Sequence, residues 1–429
     1  MDDTLSRLQR NHFRGYLATL LCAVLAVILF LVGLARQNIV SGEENASFTD
    51  ATNPKKLTIL YSTTAEFSST LHSTHDAVRL ALKEANYRAG AYTIELRLVS
   101  NSAETGSSTG QWSAEKEALN ARRAVDDTSV VAYIGPLNSG AAQVSMPILS
   151  TAGILHIGLS TTYPGLTRPG FAENEPGIYA PTGNPTFFRM VADDTYQGRA
   201  IVELLRAKEA HTLYVTDDAS TYGVGIADQV EGFAQENNLT VVTRRFFGDT
   251  EQDGTELAAD VLAKNPDALF ITGAVRDGHV TLLRALAEHN YTGIIVGPDI
   301  LYQPEFLERV TSANKNLYVT NIGSTVKATD GEAAEHFITA YRAEYGRDPI
   351  AADASAYDAV RIVLHAVKRA GDDKDAVVKT VRSLKNFPGV FGPITFDANG
   401  DIMQKDLQIF EVTLGAFRFL TDIRIPQEN

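Results

Sequence analysis

The run from Tyr133 to Thr162 (YIGPLNSGAAQVSMPILSTAGILHIGLSTT) constrains the fold most, because it reads as strand, loop, helix, strand and loop in close succession. Val130 to Ile134 is apolar and rich in β-branched residues, which suits a buried parallel strand. Gly135 and Pro136 stop it. From Ala141 to Thr151, Val144, Ile148 and Leu149 recur at helical spacing, and Gly153 closes that helix as a C-terminal cap. Ile154 to Ile157 is a second strand, ending in Gly158-Leu159-Ser160-Thr161-Thr162.

Two hydroxyl-bearing loops therefore follow the carboxyl ends of adjacent parallel strands, where open α/β sheets hold their ligands. Ser139 stands just before a helix, so its hydroxyl and the helix's free N–H groups suit one anion, a carboxylate or a phosphate. A plainer reading stays open: Ser139 caps the helix, and Ser160 and Thr162 shape a turn. The pairing of the two loops favours the anion site.

The same alternation runs through the chain. A strand at Leu57–Tyr61, a helix at Asp76–Asn86, a strand at Tyr92–Val99 and a helix at Ser113–Asp127 lead into the strand at Val130. This β-α-β-α-β order predicts a parallel sheet. The series restarts after Asp193-Asp194, with strands at Thr212–Thr216, Val241–Phe247, Ala268–Thr272 and Ile294–Val296 between helices. Amphipathic helices at Glu332–Tyr345 and Ala351–Ala370 return to the first series, and Leu407–Val412 is a final strand. The expected fold is α/β: two Rossmann-like lobes with parallel sheets, joined by three strands crossing near Asp193, Thr320 and Pro393. The expected lobes are 55–193 with 321–393, and 194–320 with 394–425.

Asp299 ends a buried strand after Gly297-Pro298. A lone carboxylate in a cleft is costly unless a cation pairs with it. An Asp capping the next helix is the other reading.

Gly135-Pro136, then Ser139, then a strand closing on Ser160-Thr161-Thr162, resembles the leucine/isoleucine/valine-binding proteins, the type I periplasmic solute-binding proteins of ABC transporters. The likeness covers nearly everything after Lys55. Asp217–Gly225 (DDASTYGVG) is similar to the family's D-x-x-Y-G loop, YRAEYGRDPIAADASAYDAV to its helix–YG–x–P–helix segment, and VFGPITFDANGD to its late signature. The resemblance implies a periplasmic binding protein-like fold of type I. It implies that Ser139, Ser160 and Thr162 hold a ligand's carboxylate, and that Asp299 takes its α-ammonium. It further implies that Tyr222 faces the cleft, that Thr70 stands on the first ligand loop, and that Val275 matches a position often aromatic in the family. Thr70, where an aromatic is common, leaves room or adds a hydroxyl, and Val275 is also a departure. Arg168–Pro185 (RPGFAENEPGIYAPTGNP) is longer than the family pattern and rich in Pro and Gly, so it reads as a surface excursion near the cleft rim.

The net charge of −14 argues against nucleic acid and anionic lipid as partners of the folded part. The single cysteine, Cys22, excludes an intramolecular disulfide and a cysteine metal cluster. Neither GxGxxG nor GxxxxGK[ST] occurs, and no metal or cofactor is implied. Gly15–Ala35 is almost wholly apolar, long enough for a transmembrane helix, and follows Arg7, Arg10 and Arg14. An uncleaved anchor with the binding domain outside the cytoplasm is expected; a cleaved signal peptide is the competing reading. Residues 36–54 read as a flexible linker.

The leading expectation is extracytoplasmic binding of an amino acid or related zwitterion for delivery to an ABC permease. The alternative is a ligand-sensing ectodomain that signals through a membrane partner. An acyl-transfer enzyme built on Ser139 with His156 or Asp299 carries little weight, since no G-x-S-x-G elbow occurs.

Overall fold

The computed structural model describes residues 54–64, 69–103, 112–273, 276–309, 315–323 and 325–424. The expected anchor at 15–35, the linker up to residue 53, Val275 and the side chain of Thr70 lie outside the described residues. No described helix is long and apolar enough to cross a membrane.

The first sheet grows from β1 (Lys56–Thr63), whose residues after Lys56 are all buried. A strand with no exposed face needs a partner on each edge and a helical layer on each side. Both follow. The helix α1 (Ser69–Glu84), the short β2 (Arg88–Ala89), β3 (Tyr92–Ser100), α2 (Ala114–Asp126), β4 (Val130–Ile134), α3 (Ser139–Thr151), β5 (Leu155–Gly158) and β6 (Phe187–Arg189) complete the sheet in the order β2-β3-β1-β4-β5-β6. β1 runs parallel to β3 and β4, and β5 to β4 and β6.

The chain then passes to a second sheet through α4 (Asp194–Ala207), β7 (Thr212–Asp217), α5 (Thr221–Glu236), β8 (Thr240–Phe246), α6 (Glu251–Lys264), β9 (Ala268–Phe270), α7 (Asp277–Glu288), β10 (Ile294–Gly297), α8 (Pro304–Arg309) and β11 (Leu317–Ile322). It returns to the first sheet's layer with α9 (Glu332–Tyr345), α10 (Ala351–Ala370), α11 (Lys374–Arg382) and the hairpin of β12 (Phe387–Gly389) and β13 (Gly392–Ile394). It ends in the second sheet with β14 (Asp406–Thr413) and β15 (Ala416–Arg424), giving the order β15-β14-β11-β10-β9-β7-β8. Thr320 thus lies inside the second sheet, and the chain leaves that sheet only after Ile322.

Each sheet is covered on both faces. In the first, Leu82, Val360 and Val363 pack on one side, and Ala121, Ala124 and Leu149 on the other. In the second, Ile201 and Val230 face Val215, while Leu257 and Leu282 face Leu269.

The connecting segments hold one another. The Arg189 N–H donates to Gly400 O (2.9 Å), the Ile402 N–H to Arg189 O (3.2 Å), and the Gly323 N–H to Asp406 O (2.8 Å). Arg189 is fully buried and paired with the equally buried Asp401 at 2.9 Å. A cavity of about 40 Å³ lies among the segments, lined by Ala192, Gly323, Asp358, Gln404 and Asp406 among others.

The sequence reading ends the sheet at Val412, but the chain turns back as β15. Leu414 and Gly415 both have positive φ (51° and 73°), and Thr413 pairs with Ala416, so the turn has two residues. Such turns normally carry Asn-Gly or Asp-Gly. Leucine in that place hides the signal.

Candidate ligand-binding site

Gly135 ends β4 with φ of 92°, and a Cβ there would lie 2.1 Å from Ser62 O, so only glycine brings the two strand ends this close. α3 starts at Ser139 itself. Its cap is Asn138, which makes no side-chain cap bond. Ser139 is therefore not the helix cap. Its buried hydroxyl accepts the Tyr163 N–H at 3.2 Å and so ties the loop after β4 to the loop after β5. Ser160 ties the same loops from the solvent side, donating to Leu137 O at 3.1 Å. Thr161 and Thr162 are fully buried, and neither hydroxyl has a hydrogen-bond partner. An unmade hydrogen bond at a buried group costs about 1–3 kcal/mol; the Thr161 hydroxyl lies against Gly158 and the Phe187 ring, and the Thr162 hydroxyl faces Asp194.

The Arg189 guanidinium supports this loop from below. Its Nη1 donates to Thr161 O (3.2 Å) and Tyr163 O (3.0 Å) while Nε bonds Asp401 (3.0 Å).

Asp299 opens a short 3₁₀ turn after β10, and the turn's cap is Pro298. The Asp299 carboxylate accepts from the Tyr222 hydroxyl at 2.7 Å and from Gln197 Nε2 at 2.9 Å. Gln197 Oε1 accepts in turn from the Asp299 N–H (2.8 Å) and the Thr320 hydroxyl (2.5 Å). The same Gln197 Nε2 reaches Asp194 Oδ1 at 3.3 Å. Asp194 is fully buried, donates its N–H to Thr162 O at 2.9 Å, and has its carboxyl beside the Thr162 hydroxyl without reaching hydrogen-bond geometry. A polar seam thus runs from Thr162 in the first sheet's loop, through Asp194 and Gln197 of α4, to Asp299 after β10 and Tyr222 in the first turn of α5.

Charge is expensive here. Burial raises the Asp299 carboxyl above the usual range, against the pull of Tyr222 and Gln197. Burial first, and Asp299 second, push Asp194 well up. The Tyr222 hydroxyl is raised by burial and then by Asp299. Two carboxyls sharing one amide resist joint ionisation, and a cation at the seam would relieve both.

His156 is fully buried, bonds Gly135 O at 2.6 Å through Nε2, and meets Tyr133 and Phe187 edge-on. Burial lowers its pKa to about 3. Ser139 and His156 therefore have separate partners.

A family model described as periplasmic binding protein matches residues 54–416. The chain belongs to the periplasmic binding protein family. A Leu/Ile/Val-binding protein of Rhizobium johnstonii is 23% identical over 305 residues, covering 70% of this chain and 78% of that protein. An amino acid binding protein of Pseudomonas aeruginosa is 26% identical over 304 residues, covering 68% and 74%. Among solved structures, a leucine-binding protein of Thermotoga maritima superposes with a TM-score of 0.73 at 25% identity, covering 86% of this chain and 98% of that one.

In this periplasmic binding protein, Gln197 and Arg189 are not singled out by the sequence, and Asp194 and Thr320 are expected there only as crossings between the lobes. The spacing of Asp194 and Gln197, one helical turn apart, places an acid and an amide on one face of α4. That was the available signal.

Proposed function

We propose that this chain binds an amino acid or similar small zwitterion between its two sheets, outside the cytoplasm, and presents it to an ABC permease. Thr162 and Ser139, with the Ser160 loop, serve the carboxylate end; Asp299, braced by Tyr222 and Gln197, serves the ammonium end. Thr70 and Val275 belong to this proposal as flanking positions. The observation that carries it is the seam itself. The buried Thr162 hydroxyl, with no hydrogen bond made, stands on one side and a carboxyl raised by burial on the other, so one side suits a carboxylate and the other an ammonium. Closure of the lobes about the three connecting segments would then desolvate the ligand. Residues 15–35 are proposed to hold the protein at the membrane.

The test is a thermal-shift panel of amino acids on the purified protein. A ligand at a hundred times its Kd adds about 2.7 kcal/mol of stability, a readily measured rise in Tm. The expected result is stabilisation by leucine, isoleucine or valine. A panel in which carboxylates lacking an ammonium group stabilise and no amino acid does would overturn the assignment.

A further inference from the structure

The excursion at 168–185 does more than cover the rim. Its Glu175 and Tyr179 are buried. Glu175 accepts one hydroxyl on each carboxylate oxygen: Tyr163 at 2.9 Å and Tyr179 at 2.6 Å. A Cβ on Gly165 would fall 1.9 Å from Glu175 Oε2, so the fold is shaped closely around this carboxylate. Tyr179 is fixed to α3, since its carbonyl accepts from the Ser150 hydroxyl at 2.9 Å.

From Tyr179 the bonding crosses between the lobes. Gln143 of α3 donates to the Tyr179 oxygen at 2.7 Å and accepts from the Thr221 hydroxyl, the first residue of α5, at 2.9 Å. Beside this bridge the Tyr163 ring lies on Gly225 of α5, where a Cβ would come within 2.6 Å of the ring. Tyr163 is also the residue whose N–H the Ser139 hydroxyl accepts. Arg168, at the other end of the excursion, pairs with Asp193 (3.1 Å) and Asp401 (3.1 Å) in two of the connecting segments.

We propose that Glu175 is a positioning residue and that the excursion is a latch on lobe closure. It holds Tyr163, and with it the loop carrying Thr161 and Thr162, in the place that seats on Gly225. It also aligns Tyr179 and Gln143 to receive Thr221. Glu175→Gln replaces one of the two acceptor oxygens by a donor and so disturbs the one side chain that aligns both contacts, whereas loss of the Thr221 hydroxyl releases only the bridge. The proposal rests on the binding-protein reading for its consequence, a slower ligand release, but the latch itself is a property of the unliganded protein.

Trp112, the only tryptophan, reports on the seam: a Cβ on Gly140 would meet its ring at 2.7 Å and the Thr221 hydroxyl at 3.1 Å. The experiment measures acrylamide quenching of Trp112 and the radius of gyration by small-angle scattering in the full chain without ligand. Wild type is compared with Glu175→Gln and Thr221→Val. The same proteins then give association and dissociation rates for L-leucine by stopped-flow fluorescence. Expected are greater quenching and a larger radius in both variants, more in Glu175→Gln, with Tm held in Thr221→Val. Dissociation should be roughly three- to tenfold faster at near-constant association, the span of one net hydrogen bond. Unchanged quenching and radius in both variants would overturn the latch. So would a fall in Tm for Glu175→Gln with a silent Thr221→Val, which makes Glu175 structural only. Failure of leucine to bind wild type touches the proposed ligand and leaves the quenching and scattering results standing.

Discussion

The Asp299→Asn substitution separates the charge of the site from its shape. In the structure Asp299 Oδ1 accepts two hydrogen bonds, from Tyr222 and Gln197. Asparagine keeps an oxygen in that place, so both donors remain satisfied; alanine would orphan them at about 1–3 kcal/mol each. Asparagine is therefore the cleaner test, and the unliganded variant should melt within a few degrees of wild type. Affinity should change sharply. Removing one member of a desolvated charge pair costs about 2–5 kcal/mol, a loss of roughly thirtyfold to a few thousandfold in Kd. The pH dependence adds a second signature. The folded-state pKa of Asp299 is raised, so its contribution to stability is full below the ordinary carboxylate range and is lost as pH rises through the folded value. A bound ammonium favours the ionised form, so leucine affinity in wild type should rise with pH over that window. The variant should lose the part of this rise due to Asp299 and keep any part due to Asp194. Calorimetry with L-leucine on both proteins from pH 4 to pH 8 reads all of this. Affinities within threefold at neutral pH, with parallel pH profiles, would refute the ammonium assignment.

Ser139→Ala removes the acceptor of the Tyr163 N–H, so Tm and leucine affinity should fall together; a variant that keeps both would mean that the two loops are held without this bond. Asp401→Ala leaves Arg189 buried without its counter-charge and should destabilise the protein by about 3–5 kcal/mol, read by denaturant unfolding. A change under about 1 kcal/mol would mean that Arg189 finds another anion. Asp358, at the cavity between the connecting segments, has its pKa raised to about 6 by burial, against Val390 N–H and Arg361. Its stabilising contribution should be present below about pH 4 and be lost as pH rises through 6. Relative to Asp358→Asn, wild type should therefore lose on the order of 3 kcal/mol from well below pH 4 to well above pH 6, and parallel stability-versus-pH curves would count against it.

Much of the α/β plan is visible in periodicity alone. β4 and β10 are short apolar runs bounded by breakers, and α10 repeats its apolar face over twenty residues, so pattern and burial agree. What stays hidden has a common cause: the relevant partner is distant in sequence. Gln197 reads as an ordinary polar position in a first helical turn, and only the arrival of Asp299, 102 residues later, gives its amide a task. Arg189 likewise meets Asp401 across 212 residues. Glu175 sits among Pro, Gly and Asn in a stretch with no period, where neither burial nor the two tyrosines around it can be inferred from spacing.

Ser139 shows how fine the margin is. Read from the chain, it is either a cap or an anion ligand, and the two differ by where the helix begins. α3 begins one position earlier than the cap reading requires, so Asn138 takes the Ncap place and Ser139 becomes the first helical residue. A hydroxyl there no longer folds back on its own helix's N–H groups. It is turned toward the neighbouring loop, where it meets Tyr163. Tyr163 meets Gly225 of α5 and Glu175 in the excursion, so one residue's shift in a helix start joins the loops after β4 and β5 to the second sheet's layer. Element boundaries are the least legible part of any sequence reading, and in this protein the contact between the two loops passes through one.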